Sequence, residues 1–504
     1  MKHLLLPLGA LLLSACAPMP ADQPALGAAG GGFDAGGYPV EVCDTAYAGR
    51  PAACTVSGSG TRQLLRGNLI SNGRMYVGGS LLVGADGRIE AAGCPVPVNQ
   101  VNASQADKTL TIDCPGAVIS AGFINLHEHI DYSYQQPAQP PAKKWVHRNQ
   151  WRPLPAAERG FEGDAPKDEA VRAEVSERAM LRHALSGSTA VSGAKDYRAF
   201  LRNLKLADVG SVMAAPAGKP VLDSTFPLND AGTMQWPLAP CTAAQVAGVR
   251  VNRDNPFVPH VGEGTNQGAQ YEVDCVLDAI RSKTTPNAFI HGVAISDTQV
   301  ARLQAQDVGV VLSPRSNLQL YAAAPPVARL KAAGVTLAMG TDWSPSGSLT
   351  MLDEARCLAR FNHDKLNDLL TPADLHRMLT ENGAKAVGLQ GQIGRLAVGE
   401  WADLVILDTE GRRSLGDLLA QTALKQTVAV FVGGRAASFP TAWAAKLPQL
   451  DNCAPDPRDL CGQARTVCGA NAQRSLGQLL KQSVYTIDDA KICTPQATHD
   501  CVAP

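Results

Sequence analysis

Between residues 118 and 341 the chain alternates short apolar runs with amphipathic stretches, and this alternation limits the fold more than any other feature. Eight runs read as strands: Phe123–His129, Ser188–Ser192, Val209–Ala214, Met234–Leu238, Phe257–Val261, Ala288–His291, Val308–Ser313 and Val335–Thr341. Helix starts lie between and after them. Ser296 with Gln299 three residues on is a capping box, and Thr371-Pro372 is an N-cap followed by a first-turn proline. Strands alternating with helices give an α/β fold, either a (β/α)8 TIM barrel or a doubly wound open sheet. The polar residues decide between them. His129, His260, His291 and the Thr341-Asp342 pair all fall near strand carboxyl ends. A barrel brings those ends to one pocket, whereas an open sheet spreads them along an edge. The barrel is therefore expected over 117–387.

The flanks read differently. Residues 62 to 115 give short strands, with an Asp86-Gly87 hairpin signal between Ser80–Val83 and Arg88–Ala91. Strands return at 392–396, 402–408 and 428–435. Segments 61–116 and 388–440 are expected to pair as a composite β-sandwich beside the barrel. Residues 441–504 form a cysteine-rich C-terminal appendix whose own core would be small without cross-links. Residues 17–60 read as a flexible tether and a disulfide-bearing segment.

The amino terminus has a basic start, an apolar run over 4–13, and Leu13-Ser14-Ala15-Cys16. The run is too short to span a bilayer and has the shape of a secretory signal. Its close resembles a bacterial lipobox. That resemblance implies cleavage before Cys16 and acylation of its thiol, with 1–16 as signal peptide. Ala17 after the cysteine points to the outer membrane, so the chain is expected to be exported and lipid-anchored to the envelope, facing the periplasm or the cell surface. Twelve of the 13 cysteines lie beyond Cys16, an even number that fits disulfides in an exported chain. Proximity in sequence suggests Cys43 with Cys54, Cys94 with Cys114 and Cys241 with Cys275. The five tail cysteines leave one to reach Cys357. With 45 basic against 46 acidic side chains, bulk charge argues against a nucleic-acid partner.

The chemistry sits in five segments. His127 and His129, two apart on a strand, project to one side and can meet one metal ion. His260 ends a strand with Glu263 three residues on. His291 ends the next, Ser313–Asn317 follows another, and Gly340–Asp342 closes the last. With Ala121–His129 and the closing Gly391–Asp408 segment, this series resembles the amidohydrolase superfamily. It is closest to the branch holding chlorohydrolases, guanine deaminase and adenosine-type deaminases, and the likeness covers roughly residues 62 to 437.

The resemblance implies that His127, His129, His260 and Asp342 bind one divalent metal, zinc before iron(II). It makes Asp342 the general base, Glu263 the proton shuttle, and His291 the group polarising the attacked centre. Arg315, Ser316, Asn317 and Trp343 would bind a small-molecule substrate. Binuclear relatives carry a carboxylated lysine on the fourth strand. No lysine falls between Ala231 and Asn255, and Lys195 and Lys219 follow the second and third strands, so one metal is expected; with the strand count off by one, Lys219 becomes the rival bridge. The implied activity is metal-dependent hydrolysis of a non-peptide carbon–nitrogen bond. A dipeptidase or an imidazolonepropionase-like cyclic amide hydrolase is the alternative reaction, and a non-catalytic binding lipoprotein the alternative class. The loop after the first strand interleaves Tyr132, Tyr134, Lys143, Lys144, Trp145, His147, Arg148, Trp151 and Arg152. It either overhangs the pocket to grip a flat or anionic substrate, or packs on the appendix.

Overall fold

The structure is a computed structural model that describes residues 33–48, 53–94, 96, 109–135, 144–159, 166–197, 200–207, 212–216, 220–224, 226–228, 238–251, 253–456, 459–469 and 493–502. The leader, Cys16, most of the tether, Lys143 and Lys219 lie outside these residues.

Eight parallel strands occur in two groups among the described residues. The first holds β1 (Phe123–Asn125), β2 (Ser188–Val191) and β3 (Arg202–Asn203). The second holds β4 (Leu222–Ser224), β5 (Phe257–Val261), β6 (Asn287–His291), β7 (Val308–Leu312) and β8 (Leu337–Met339). The two sheets do not merge into one continuous ladder. A backbone hydrogen bond spans each seam: Val221 N donates to Leu204 O at 2.7 Å, and Leu126 N donates to Met339 O at 3.2 Å. Ile124, Ala190, Leu204, Val221, Val258, Ile290, Val311 and Ala338 form one buried cluster, with each strand or its flanking residue contributing. Phe123, Phe257, Phe289, Val310 and Leu337 belong to a different cluster, shared with the helices. Alternate residues thus serve two cores, as strand geometry requires. The arrangement is a TIM-barrel-like α/β fold.

Two of the expected strands are displaced. The third is Arg202–Asn203; half of the expected Val209–Ala214 lies outside the described residues, and of the rest Ala214 makes an isolated bridge to Asn203. The fourth is Leu222–Ser224, not Met234–Leu238, most of which lies outside the described residues. The apolar pattern misled because β3 is polar yet fully buried. Arg202 is chelated by Asp403 through Nε–Oδ2 at 2.6 Å and a second nitrogen to Oδ1 at 2.9 Å. Asn203 Nδ2 donates to the carbonyls of Lys195 and Tyr197. Partners remote in sequence satisfy what composition alone marks as loop.

Beside the barrel-like sheets lies an 11-stranded sheet, nine strands on one hydrogen-bonded path and two branching from it, where a composite β-sandwich was expected. Leu404–Leu407 pairs antiparallel with Thr109–Ala121, and that strand pairs in parallel with Arg62–Ser71. Both flanks of the chain therefore build one sheet. The tail strands Cys453–Pro455 and Arg465–Cys468 extend it.

Six disulfides occur among the described residues: Cys43–Cys94, Cys54–Cys114, Cys241–Cys275, Cys357–Cys501, Cys453–Cys468 and Cys461–Cys493. Cys241–Cys275 and a tail link to Cys357 follow the sequence reading. Cys43 with Cys54 and Cys94 with Cys114 do not, because strand pairing overrides proximity. Thr55 lies opposite Asp113, which sets Cys54 against Cys114. Val40–Val42 and Ile89–Gly93 both run along Arg74–Val83, beside residues 75–77 and 80–83, so Cys43 and Cys94 meet where these short strands abut. No helix among the described residues is long and apolar enough to cross a membrane.

Candidate metal centre and active site

The carboxyl ends of the parallel strands carry the histidines into one buried cluster. His127 and His129 follow β1, His260 lies in β5 and His291 ends β6. Ring centroids stand 4.6 Å apart for His127 and His260, 4.9 Å for His127 and His129, and 5.1 Å for His127 and His291. Asp342, just beyond β8, points Oδ1 at both His127 Nε2 (3.0 Å) and His129 Nε2 (3.5 Å). Gly340 makes this approach feasible, since a Cβ there would sit 2.4 Å from that of His127. His291 and Asp342 both take positive φ, +68° and +58°. Such backbone is costly for non-glycine residues, by about 1–3 kcal/mol each, and concentrates at functional sites.

Two triads bring one ligand atom per residue within 4.8 Å of one another: His127, His260 and His291, and His127, His129 and Asp342. The donor set fits a divalent cation. His129 Nε2 and His260 Nε2 face each other at 3.3 Å, a pairing that a cation between them satisfies. His127 Nε2 and His260 Nδ1 are buried without a hydrogen bond. Burial pushes both imidazoles below their usual pKa, toward the neutral form that ligates. Burial works to raise Asp342, but the imidazoles around it, His127 first, outweigh that and keep the carboxylate ionised.

A family model described as the amidohydrolase family matches residues 260–437. Over these residues the chain is similar to the amidohydrolase family. A 5-methylthioadenosine/S-adenosylhomocysteine deaminase of Moorella thermoacetica is 34% identical over 192 residues, covering 35% of this chain and 44% of that protein. A 5'-deoxyadenosine deaminase of Methanothermobacter thermautotrophicus is 37% identical over 122 residues, 24% and 28% of the two chains. The chain thus spans less than half the length of these curated relatives. An adenosine deaminase from Xanthomonas campestris with bound zinc superposes with a TM-score of 0.56 at 19% identity, over 75% of this chain and 93% of that one. A guanine deaminase from C. acetobutylicum with bound guanine gives 0.53 at 15%, over 74% and 99%. At these identities the likeness to solved structures concerns the fold.

The histidine cluster opens into a cavity of 380 Å³ lined by His129, His260, Glu263, His291, Asp342 and Trp343 among others. Glu263 sits 3.8 Å from His291 Nε2, and its Oε1 accepts from Tyr321 Oη at 2.7 Å. Trp151 Nε1 in turn donates to Tyr321 Oη at 2.9 Å. His291 Nδ1 lies 2.9 Å from Asn317 Oδ1, which turns Nε2 toward Glu263 and Asp342.

Of the four residues expected to bind substrate, Trp343 lines the cavity. Arg315 does not. It is buried and points to Ser348 Oγ and the carbonyl of Ala497, at 2.8 Å each. The helix Pro314–Tyr321 begins at this strand end, so its first residues are committed to the wall. Ser316 Oγ donates to Asp342 Oδ2 at 2.6 Å, and Asn317 meets His291. These two reach chemistry through other side chains, not through the cavity.

The loop after β1 divides. Tyr132, Trp151 and Arg152 line the cavity. Trp145 and Arg148 are buried, and Arg148 forms a bidentate pair with Glu272. Residues overlooked in the sequence also surround the site. Glu128 accepts from His183 Nε2 at 3.0 Å and from Thr341 Oγ1, tying β1, a helix and β8 together. Asp223 in β4, the strand placed differently from the sequence reading, and Phe226 just beyond it complete the wall. β4 contains Leu222, Asp223 and Ser224, none a lysine. Lys195 reaches the cavity rim, paired to Asp131 at 2.5 Å.

Proposed function

We propose that the chain is a metal-dependent hydrolase that removes an amino group from a flat, nucleoside-like heterocycle. The observation that carries this reading is the meeting of His127, His129, His260, His291, Asp342 and Glu263 at one end of the strands. The names of the curated relatives favour an adenosine-type amine, and four aromatic side chains on the cavity wall (Tyr132, Trp151, Phe226 and Trp343) suit a planar ring.

His127, His129, His260 and Asp342 would hold a single divalent cation, zinc before iron(II). Such a cation supplies the acidity that makes water a nucleophile near neutral pH. Asp342 remains ionised and takes a proton from the attacking water. Ser316 and the backbone N–H of Trp343 hold its two oxygens in place. Glu263 faces the cavity and carries a proton to the heterocycle, with Tyr321 fixing its orientation. His291, beside both carboxylates, polarises the attacked carbon's substituents. A water oxygen adds to the amino-bearing carbon, Glu263 passes one of the water's protons to the ring nitrogen and Asp342 returns the other to the amino group, the carbon–nitrogen bond breaks, and ammonia leaves a ring carbonyl behind. Export and a lipid anchor at Cys16 complete the proposal. Six disulfides favour an oxidising compartment.

The test is metal analysis of the full chain together with ammonia release from adenosine-type nucleosides, guanine and triazines. The expected result is one cation per chain and turnover that chelation abolishes. A metal-loaded protein releasing no ammonia from any of them would refute deamination.

A further inference from the structure

Arg315 was expected in the substrate pocket and is instead fastened to the far end of the polypeptide. Its guanidinium bridges Ser348 Oγ and the carbonyl of Ala497, at 2.8 Å each. The neighbouring residue, Gln496, makes two further bonds to the barrel. Its Oε1 accepts from Leu349 N at 2.7 Å, and its N–H donates to Asp353 Oδ1 at 3.0 Å. The segment bearing them is pinned at both ends, by Cys461–Cys493 and by Cys357–Cys501.

What this segment grips is the loop that carries Asp342. Ser348 N donates to Thr341 O at 3.0 Å, and Gly347 N to Trp343 O at 2.8 Å, so residues 341–349 fold back on themselves. Ser346 lies 2.8 Å from Ser316, the hydroxyl that bonds Asp342. Asp342 itself holds positive φ, a conformation its surroundings must impose. Arg315 and Gln496 close the loop's outer end, and a cross-link anchors them.

We infer that the C-terminal segment 493–501 is a strap that positions Asp342, with Gln496 and Arg315 as positioning residues and Cys357–Cys501 as its fastening. The appendix is then part of the catalytic apparatus. This inference rests on the proton-accepting role given to Asp342 in the proposed function. A strap of this kind holds Asp342 at the distance from the water that proton transfer requires, and small displacements there are expensive. A shift of 1 Å costs up to about 100-fold in rate.

The experiment uses the full, metal-loaded chain and compares Gln496→Ala, the double variant Cys357→Ala with Cys501→Ala, and a control pair, Cys453→Ala with Cys468→Ala. Amide hydrogen exchange is read on the peptide 341–350, alongside kcat and KM. Gln496→Ala and the Cys357/Cys501 pair should speed exchange at 341–350 and lower kcat by about 10- to 100-fold with KM little changed. The control pair removes a disulfide outside the strap and should leave all three as they were. Unchanged exchange in Gln496→Ala would overturn the strap. Faster exchange with unaltered kcat in an active protein would overturn the positioning role. Should the unsubstituted chain prove inactive on every substrate, the functional reading fails, and exchange at 341–350 still decides whether the strap exists.

Discussion

Glu263 is held by one hydroxyl and faced by one imidazole. Tyr321 Oη donates to its Oε1, and burial together with that carboxylate pushes the phenol well above its usual pKa. The tyrosine is thus a fixed donor, and the second carboxylate oxygen is left to work toward the cavity. Glu263→Gln keeps the shape and removes the proton capacity. It should retain a full complement of metal, because Glu263 belongs to neither ligand triad, while kcat falls by about 100- to 10,000-fold. Metal analysis and steady-state kinetics on the same preparation check this, and an undiminished kcat would dismiss the shuttle. The clustering of the histidines with Asp342 was legible at this scale because each ends an apolar run. Tyr321 and His183 were not, since each lies within a helix and only the packed structure shows which face it presents.

His376 shows how elements are tied. It lies on the helix Pro372–Leu379, with Tyr38 Oη 2.9 Å from Nδ1 and Ser120 Oγ 2.7 Å from Nε2. One imidazole therefore joins an N-terminal segment, the longest sheet strand and a barrel helix. Burial, reinforced by the adjacent Arg377, lowers its pKa from 6.5 to about 3. Between those values the unfolded chain binds a proton that the folded chain refuses, so stability rises with pH across this window and falls as pH drops. The slope is on the order of 1 kcal/mol per pH unit. Urea unfolding near pH 7, 5.5 and 4 should show His376→Gln losing less stability on acidification than the unsubstituted chain. Parallel losses would exclude His376 as a source. Element positions were readable where apolar periodicity matched burial, as in Phe257–Val261 and Val308–Leu312. They were misread at Arg202–Asn203, where Asp403 supplies in space what the local sequence lacks.

For the whole molecule, a TIM-barrel-like α/β core with strands from both flanks of the chain beside it was legible, since turn signals and alternation survive in each segment. Disulfide connectivity was only half legible, because it follows strand register, and register is a three-dimensional property. The compartment is argued at this scale as well. Replacing Cys16 with Ser should move the protein from the membrane fraction to the soluble one while leaving its disulfides intact. Equal sedimentation with membranes in both forms would dispose of the anchor.

The shared sheet also sets an order of assembly. Thr109–Ala121 finds its neighbour Leu404–Leu407 only after every barrel strand has been synthesised. A chain made from its amino end thus carries residues 118–121 of that strand without this partner through most of its production, an invitation to pair with the wrong molecule. Whatever shelters that edge during biogenesis determines how much correctly built protein a cell obtains.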